Sequence, residues 1–235
     1  MTAMNEERTG ETLSADGRPD WWPPLLKAAA DAKGPTAERV IADHLLPYAR
    51  ENARSAAVLV LLKAHAAEGE PGPSVLLQQR AATLRHHPGE VAFPGGAADP
   101  GDADAAATAL REAAEELAVD PGSVAVGATL PPLWIPVSGF AVTPVLAYWT
   151  RPHTVAPQAA SEVAAAHQVP LPLLADPDSR GTVRYPSGRS GPAFQVAGVP
   201  VIWGFTAGVL SWLLDLGGWT RPWDTGRTMQ LDGPL

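Results

Sequence analysis

Three glutamates lie close together in a segment with helical character. Glu112, Glu115 and Glu116 occupy positions i, i+3 and i+4, and because an α-helix turns once per 3.6 residues they share one helical face. Gly95 and Gly96 precede the segment and predict a tight turn before the helix. Carboxylates crowded in this way repel one another unless a cation holds them together. The spacing therefore predicts a site for a hard divalent metal ion.

The alternative interpretation of these glutamates is a solvated helix face whose charges pair with lysines. The chain has no lysine between residues 84 and 235. Such pairing is therefore not available from the surrounding sequence, and the metal site is the preferred interpretation.

The elements around this motif mix helical and strand patterns. The helix with the glutamates is predicted over 103–117, and the Asp-Pro-Gly run at 120–122 stops it. The continuous apolar run at 55–62 predicts a central strand buried on both faces, with 74–80 as its antiparallel partner. Mixed strands that enclose one long helix indicate an α+β layered domain.

The other predicted elements flank this centre. One or two short amphipathic helices are expected over 23–50. Strands are expected at SVAVGATL and FAVTPVLAYW, short helical turns at 161–167 and 170–174, then the segments GTVRY and FQVAGVPVIWG, and a last helix at FTAGVLSWLLDL.

Composition limits the classes of function. A chain of 235 residues with 46% hydrophobic residues can bury a full core, which favours one domain with elaborations. The net charge of -8 argues against a general nucleic-acid binder. The absence of cysteine excludes disulfides, thiol catalysis and zinc-thiolate sites, and it fits a reducing cytosol. With no long apolar stretch, neither a signal peptide nor a membrane span is expected, so a cytoplasmic location is predicted.

The run ALREAAEEL, preceded by Gly95 and Gly96, resembles the Nudix box, the metal-binding loop-helix-loop of hydrolases that split nucleoside diphosphates linked to another group. Three features depart from the box. The distance from Gly96 to Arg111 is one residue longer than usual, Asp102 lies nearest to the place of the missing first Glu, and Ala118 replaces the closing Gly.

The segment upstream, LLQQRAATLRHHPGEVAFPGG, resembles the signature of the coenzyme A pyrophosphatase branch of this superfamily, with Gln78 in place of Thr. The matching positions are Leu76, Leu77, Arg80, Ala81, Arg85, Gly89, Phe93, Pro94, Gly95 and Gly96. Members of the branch tend to have an Asp-Pro-x-Asp loop with the extra residue, as at 99–102 here, so the insertion becomes a mark of the branch. The resemblance covers roughly residues 56–214.

The resemblance implies a Nudix-type α/β/α sandwich with a mixed sheet and the Nudix loop-helix-loop. The domain prediction is a flexible tail over 1–18, a single Nudix hydrolase domain with an N-terminal helical elaboration over 19–218, and a C-terminal extension over 219–235.

The resemblance also assigns the chemistry of the box. Glu112, Glu115 and Glu116 would bind Mg²⁺ or Mn²⁺ with the Gly96 carbonyl as a further ligand, and Arg111 would orient a box glutamate through a bidentate hydrogen bond. The general base stays open between a glutamate of the box and Glu162. Glu162 is a candidate ligand or base and is equally well explained as a surface residue.

The substrate contacts come from the segment before the box. Arg80 and Arg85, with the turn at Gly95 and Gly96, would bind the phosphates of a large anionic substrate, and surface salt bridges are the alternative for both arginines. The adjacent pair His86 and His87 is better explained as shaping a loop. Acidic residues at 99, 102 and 104 fail the calcium-loop pattern and are expected to cap the helix.

The implied reaction cleaves coenzyme A or its thioesters into 3',5'-adenosine bisphosphate and 4'-phosphopantetheine or its acylated form. Two alternatives stay open: a Nudix pyrophosphatase for nucleoside diphosphate sugars or dinucleotides, and a Nudix module that binds a nucleotide without cleaving it. The expected partner is a small coenzyme A-like molecule, with no nucleic acid and no membrane. A homodimer is compatible with the sequence, although no residue commits the chain to it.

Overall fold

The computed structural model describes residues 18–32, 46–47, 53–65, 72–135, 138–186 and 188–231. The helices are α1 (Trp22–Asp31), α2 (Ala105–Leu117), α3 (Leu171–Ala175) and α4 (Gly204–Leu216). The strands are β1 (Leu46–Pro47), β2 (Arg54–His65), β3 (Gly72–Arg80), β4 (Val91–Ala92), β5 (Gly95–Ala97), β6 (Val124–Thr129), β7 (Leu133–Ile135), β8 (Phe140–Trp149), β9 (Val163–Pro170), β10 (Arg180–Arg184) and β11 (Ser190–Phe194). Short 3₁₀ turns lie at Pro121–Ser123 and Pro177–Ser179.

A mixed sheet of nine strands dominates the described residues. Its centre is the parallel pair β2 and β8, which runs in register from Arg54 opposite Phe140 to Leu62 opposite Tyr148. The remaining pairs of this sheet are antiparallel, including β2 with β3 and β3 with β9. The predicted central strand and its antiparallel partner are therefore confirmed.

Helices cover both faces of the sheet. On one face Leu59 and Leu61 of β2 pack in a cluster with Ala113 and Leu117 of α2. On the other face α1, α3 and α4 bury their apolar residues against β2, β3 and β8. Alternate side chains of a strand point to opposite faces, so a strand with helices on both sides reads as one continuous apolar run. The predicted α/β/α sandwich is confirmed.

Two predictions of local structure are wrong. The segment 161–167 was expected to form a helical turn, but from Val163 it belongs to β9, which pairs along most of β3. The two residues Leu46–Pro47, inside the predicted N-terminal helices, pair as β1 with β7. In both cases hydrogen bonds to a neighbouring strand outweigh the local helical preference.

Other predictions agree with the structure or lie beyond it. The turn at 170–174 is α3, GTVRY lies largely in β10, and β11 ends where FQVAGVPVIWG begins. The first N-terminal helix is α1, whereas most of the second, like the predicted tail up to residue 17, lies outside the described residues. Residues 219–231 fold back on β10, where the Met229 amide donates to the Thr182 carbonyl at 2.8 Å.

Candidate active site

The turn before α2 brings backbone and carboxylates into close contact. Gly95 has a φ of 154°, and its amide donates to Glu116 Oε2 at 2.9 Å. A Cβ at Gly95 would lie 2.3 Å from the Ala57 carbonyl oxygen, and one at Gly96 would lie 2.5 Å from Glu112 Oε1. Only glycine leaves room for these approaches. The two predicted glycines therefore let the carboxylates of α2 reach the backbone of β5.

The helix itself begins with an acidic cap. Asp104 is the N-cap residue and its Oδ1 accepts from the Ala107 amide at 2.8 Å, which confirms the expected capping role for this aspartate. The cap fixes the start of α2 and with it the direction in which the glutamate face points.

Arg111 joins the loop to the acidic face. Its Nε donates to Asp102 Oδ1 at 3.1 Å and its Nη2 to Asp102 Oδ2 at 3.0 Å. Nη1 donates to Glu112 Oε1 at 3.0 Å and to Glu115 Oε2 at 3.1 Å, and Nη2 also reaches the Ala97 carbonyl at 3.0 Å. The bidentate partner of Arg111 is thus Asp102, and the two glutamates each take one hydrogen bond.

Asp102 is held from several sides. It accepts from the Asp99 amide and from the Thr108 hydroxyl, both at 2.9 Å, and its side chain is 9% exposed. The hydrogen bonds from Arg111 hold the pKa of Asp102 well below its usual range, and Asp102 in turn raises the pKa of Arg111. Its place near the missing box glutamate therefore serves to fix Arg111.

Burial disfavours the charged forms of Glu112 and Glu116. It raises the pKa of Glu116 to about 7, against the opposing effects of the Gln78 side chain and the Gly95 amide. It also raises the pKa of Glu112, although Arg111 works in the other direction. Two carboxylates in a poorly hydrated place are costly to keep charged unless a cation neutralises them.

The strand β3 contributes two further polar side chains beside Glu116. Gln78 is fully buried, and neither polar atom of its amide has a hydrogen-bond partner among the described residues. The Nε of Arg80 is likewise buried without a partner among them, and the positive charge of Arg80 lowers the pKa of Glu116. Sequence reasoning selected Arg80 as a site residue but noted Gln78 only as a departure from the branch signature.

The remaining predicted residues lie at the edge of this group. Arg85 is exposed in the loop between β3 and β4. Glu162 is exposed just before β9, and its carbonyl accepts from the Ala81 amide at 2.9 Å, which places it beside the end of β3. His87 has a φ of 56° and pairs with Glu90 at 3.0 Å, as expected of a residue that shapes the loop.

Comparisons with known proteins assign the sequence to a family. The NUDIX domain model matches residues 52–183, which is more than half of the chain. The chain belongs to the Nudix family. Among curated proteins, an uncharacterized Nudix hydrolase NudL from Cronobacter sakazakii is 48% identical over 120 residues, and one from Escherichia coli is 45% identical over the same length. Each alignment covers 51% of this chain and 59% of the relative, so the chain spans less than two thirds of these relatives.

Solved Nudix structures are also similar. A Nudix hydrolase from M. smegmatis, RenU, is 21% identical with a TM-score of 0.45, covering 73% of this chain and 90% of that one. The Nudix domain of Shewanella oneidensis NrtR, solved with ADP ribose, is 23% identical with a TM-score of 0.39, covering 52% of this chain and 75% of that one.

The Nudix box of this chain has donors that suit a divalent metal. In the described residues, no group of three or more His, Asp or Glu side chains lies close enough together to hold an ion. Arg111 pairs with Glu112 and Glu115 instead. Glu116 accepts from the Gly95 amide. The donor chemistry nevertheless fits Mg²⁺ or Mn²⁺: three carboxylates share one face, and burial disfavours the charge of two of them.

Proposed function

We propose that this protein hydrolyses the pyrophosphate bond of coenzyme A or its thioesters with the help of a divalent metal ion, giving 3',5'-adenosine bisphosphate and 4'-phosphopantetheine or its acylated form. The observation that carries the proposal is the pair of glutamates packed on the glycine turn, with Glu112 against Gly96 and Glu116 against Gly95. Membership of the Nudix family, whose curated relatives are named as hydrolases, supports the broader activity.

The box residues would divide the work between binding and orientation. Glu112, Glu115, Glu116 and the Gly96 carbonyl would hold Mg²⁺ or Mn²⁺, which when bound neutralises phosphate charge and polarises water. Arg111, anchored on Asp102, donates to both Glu112 and Glu115 and would so orient their carboxylates. Its role is therefore positional.

The substrate would be bound from the side of β3. In a chain with a net charge of -8, Arg80 and Arg85 supply the local positive charge that an anionic substrate needs. The LLQQR signature supports coenzyme A, whose 3'-phosphate adds charge beyond the pyrophosphate. The general base would be a glutamate of the box or Glu162, whose carbonyl accepts from the Ala81 amide at the end of β3.

The test is a turnover assay with purified protein and Mg²⁺ or Mn²⁺. Release of 3',5'-adenosine bisphosphate from coenzyme A is expected, and Glu116→Gln is expected to abolish it. Dephospho-coenzyme A, NADH, ADP ribose, nucleoside diphosphate sugars and dinucleoside polyphosphates form the comparison panel. A higher kcat/KM for any compound without the 3'-phosphate would overturn the coenzyme A assignment and leave a Nudix pyrophosphatase of another specificity.

A binding module without catalysis is the second candidate, because Arg111 pairs with two of the three predicted metal ligands. In that case coenzyme A would bind tightly in the presence of metal and no product would form. The same assay, combined with calorimetric binding of coenzyme A, separates the two functions.

The wider setting stays a set of predictions: one Nudix domain over 19–218, a cytoplasmic location, no nucleic-acid or membrane partner, and a homodimer. Of the helices in the described ranges, none combines the length and the apolar character needed to cross a bilayer. Light scattering after size-exclusion chromatography measures the oligomeric state directly.

A further inference from the structure

Gln78 lies in β3, and no described residue of the sheet hydrogen-bonds its side chain. Its neighbours across the two adjoining strands are Ala92 of β4 and Ala166 of β9, and neither has a polar side chain. Its side chain is fully buried, and both polar atoms of the amide lack a hydrogen-bond partner among the described residues. Buried polar groups are nearly always paired, so an exception of this kind suggests a functional use.

The side of β3 to which Gln78 points indicates where a hydrogen-bond partner for its amide could lie. Side chains two residues apart share a face, so Gln78 points to the same side as Leu76, which packs in the cluster formed with α2. Arg80, on that side as well, has a buried Nε that also lacks a partner in the described part of the chain. Two unsatisfied polar groups of β3 therefore point toward the helix that carries the glutamates.

Glu116 of α2 is the acidic group that the Gln78 side chain affects. The Gln78 amide is close enough to the Glu116 carboxyl to influence it, although no hydrogen bond of normal geometry joins them. The Gly95 amide already donates to Glu116 Oε2 at 2.9 Å. The Gln78 carboxamide carries N–H donors that could supply a second hydrogen bond to the same carboxylate.

We propose that Gln78 is a positioning residue that, together with the Gly95 amide, fixes the orientation of the Glu116 carboxylate for metal binding. The side chain of Gln is two heavy atoms longer than that of the Thr found in the branch signature, and this length lets the amide reach α2. The proposal rests on the proposed function, because it assigns Glu116 to the metal.

The decisive variant is Gln78→Met, which keeps the length and approximate volume of the side chain and removes its polar atoms. If Gln78 positions Glu116, the Kd for Mn²⁺ measured by calorimetry without substrate should rise about tenfold, since hydrogen bonds to charged groups are among the stronger ones. The kcat for coenzyme A should fall about tenfold with little change in KM. The Tm of the metal-free protein should stay the same or rise, because two unsatisfied buried atoms are removed.

Gln79→Met is the matched control. Gln79 is the next residue of the same strand, points to the opposite face, and pairs with Val91 and Ala165. Its substitution should leave both the Mn²⁺ affinity and the kcat unchanged. Equal losses in the two variants would show a general effect of altering β3 and would overturn the proposal.

Gln78→Asn guards against a folding defect in the first variant. It keeps the carboxamide but shortens the side chain by one methylene, so its Mn²⁺ affinity should lie between those of the wild type and Gln78→Met. A wild-type Kd for Mn²⁺ in Gln78→Met, or an Asn variant no better than a Met variant that folds, would overturn the positioning role. If the wild type binds Mn²⁺ but cleaves no compound of the panel, the proposed function fails, while the comparison of Mn²⁺ affinities still decides the role of Gln78.

Discussion

Burial disfavours the charged form of Glu116, whereas the proposed metal binding requires that form. Its folded pKa of about 7 lies above the ordinary value of 4.5. Its favourable contribution to the free energy of unfolding is therefore present below the ordinary pKa and is lost as the pH rises through 7. At about pH 8 the metal-free protein therefore retains a costly buried charge. Glu116→Gln, which keeps an acceptor for the Gly95 amide, should stabilise the metal-free protein at about pH 8 by up to about 3 kcal/mol, measured by urea unfolding in the presence of a chelator.

The same substitution at about pH 4 should bring little gain, because Glu116 is then mostly protonated in both states. Glu115→Gln is the control, since the Glu115 side chain is 60% exposed and its substitution removes no buried charge. A gain for Glu116→Gln of the same size at both pH values would show that the buried charge is not its cause.

Asp102 tests the network around Arg111. Asp102→Asn leaves one carbonyl where two carboxylate oxygens now accept from the guanidinium, so Arg111 should hold Glu112 and Glu115 less firmly. We expect kcat to fall about tenfold with the fold intact, measured by steady-state kinetics and circular dichroism. Asp99→Asn is the control, because Asp99 is exposed and lies 3.8 Å from the Nε of Arg111. Similar losses in both variants would contradict a specific anchor at Asp102.

At the scale of the element, the end of α2 holds one departure from the Nudix box in a strained conformation. Ala118 caps the helix with φ 57° and ψ 34°, the left-handed conformation that favours glycine. Ala118→Gly should therefore stabilise the protein by about 0.5–1 kcal/mol without changing turnover. The control is Ala114→Gly in the interior of the same helix, which should destabilise by a similar amount. Urea unfolding of the two variants gives opposite shifts if the backbone conformation is the cause.

Elements that follow from a local sequence pattern could be predicted. Elements that depend on pairing with a distant strand could not. The glutamate face of α2 and the buried run of β2 follow from helical and strand periodicity within a few residues. The run of alanines at 164–166 suggests a helical turn, but pairing with β3 makes it part of β9. The placement of Gln78 on the sheet face toward α2 depends on strand pairing and burial, which no local pattern in the sequence contains.

At the scale of the whole molecule, the residue before α1 and the segment just after α4 meet on one side of the sheet. Trp21, just before α1, packs edge-on against Trp219, just after α4, with ring centroids 5.9 Å apart. Both helices cover the face opposite α2. The segment that follows α4 continues along β10, where Thr182 bridges to Thr228. The tryptophan-rich end thus joins the hairpin of β10 and β11 to the helical layer behind the sheet.

Arg180 of β10 contacts Trp223 of this C-terminal segment, and substitutions at the two residues measure how much the contact stabilises the protein. Arg180 is 2% exposed, its guanidinium stacks over Trp223 at 4.6 Å and over Phe194 at 5.3 Å, and burial lowers its pKa. Trp223→Ala would uncover this buried cation and should cost about 2 kcal/mol, equivalent to a Tm lower by about 4–8 °C for a chain of this size. Gln230→Ala, at an exposed position of the same segment, should leave the Tm unchanged.

A double-mutant cycle identifies the contact responsible for that loss. Arg180→Met removes the buried charge while keeping an apolar side chain, so Trp223→Ala should cost less in this background than in the wild type. The difference between the two costs is the coupling between the guanidinium and the indole. Equal costs in both backgrounds would mean that Trp223 stabilises the C-terminal segment through its apolar packing alone, and that the buried Arg180 relies on Ser211, which accepts from its Nη2 at 2.8 Å, and on Phe194.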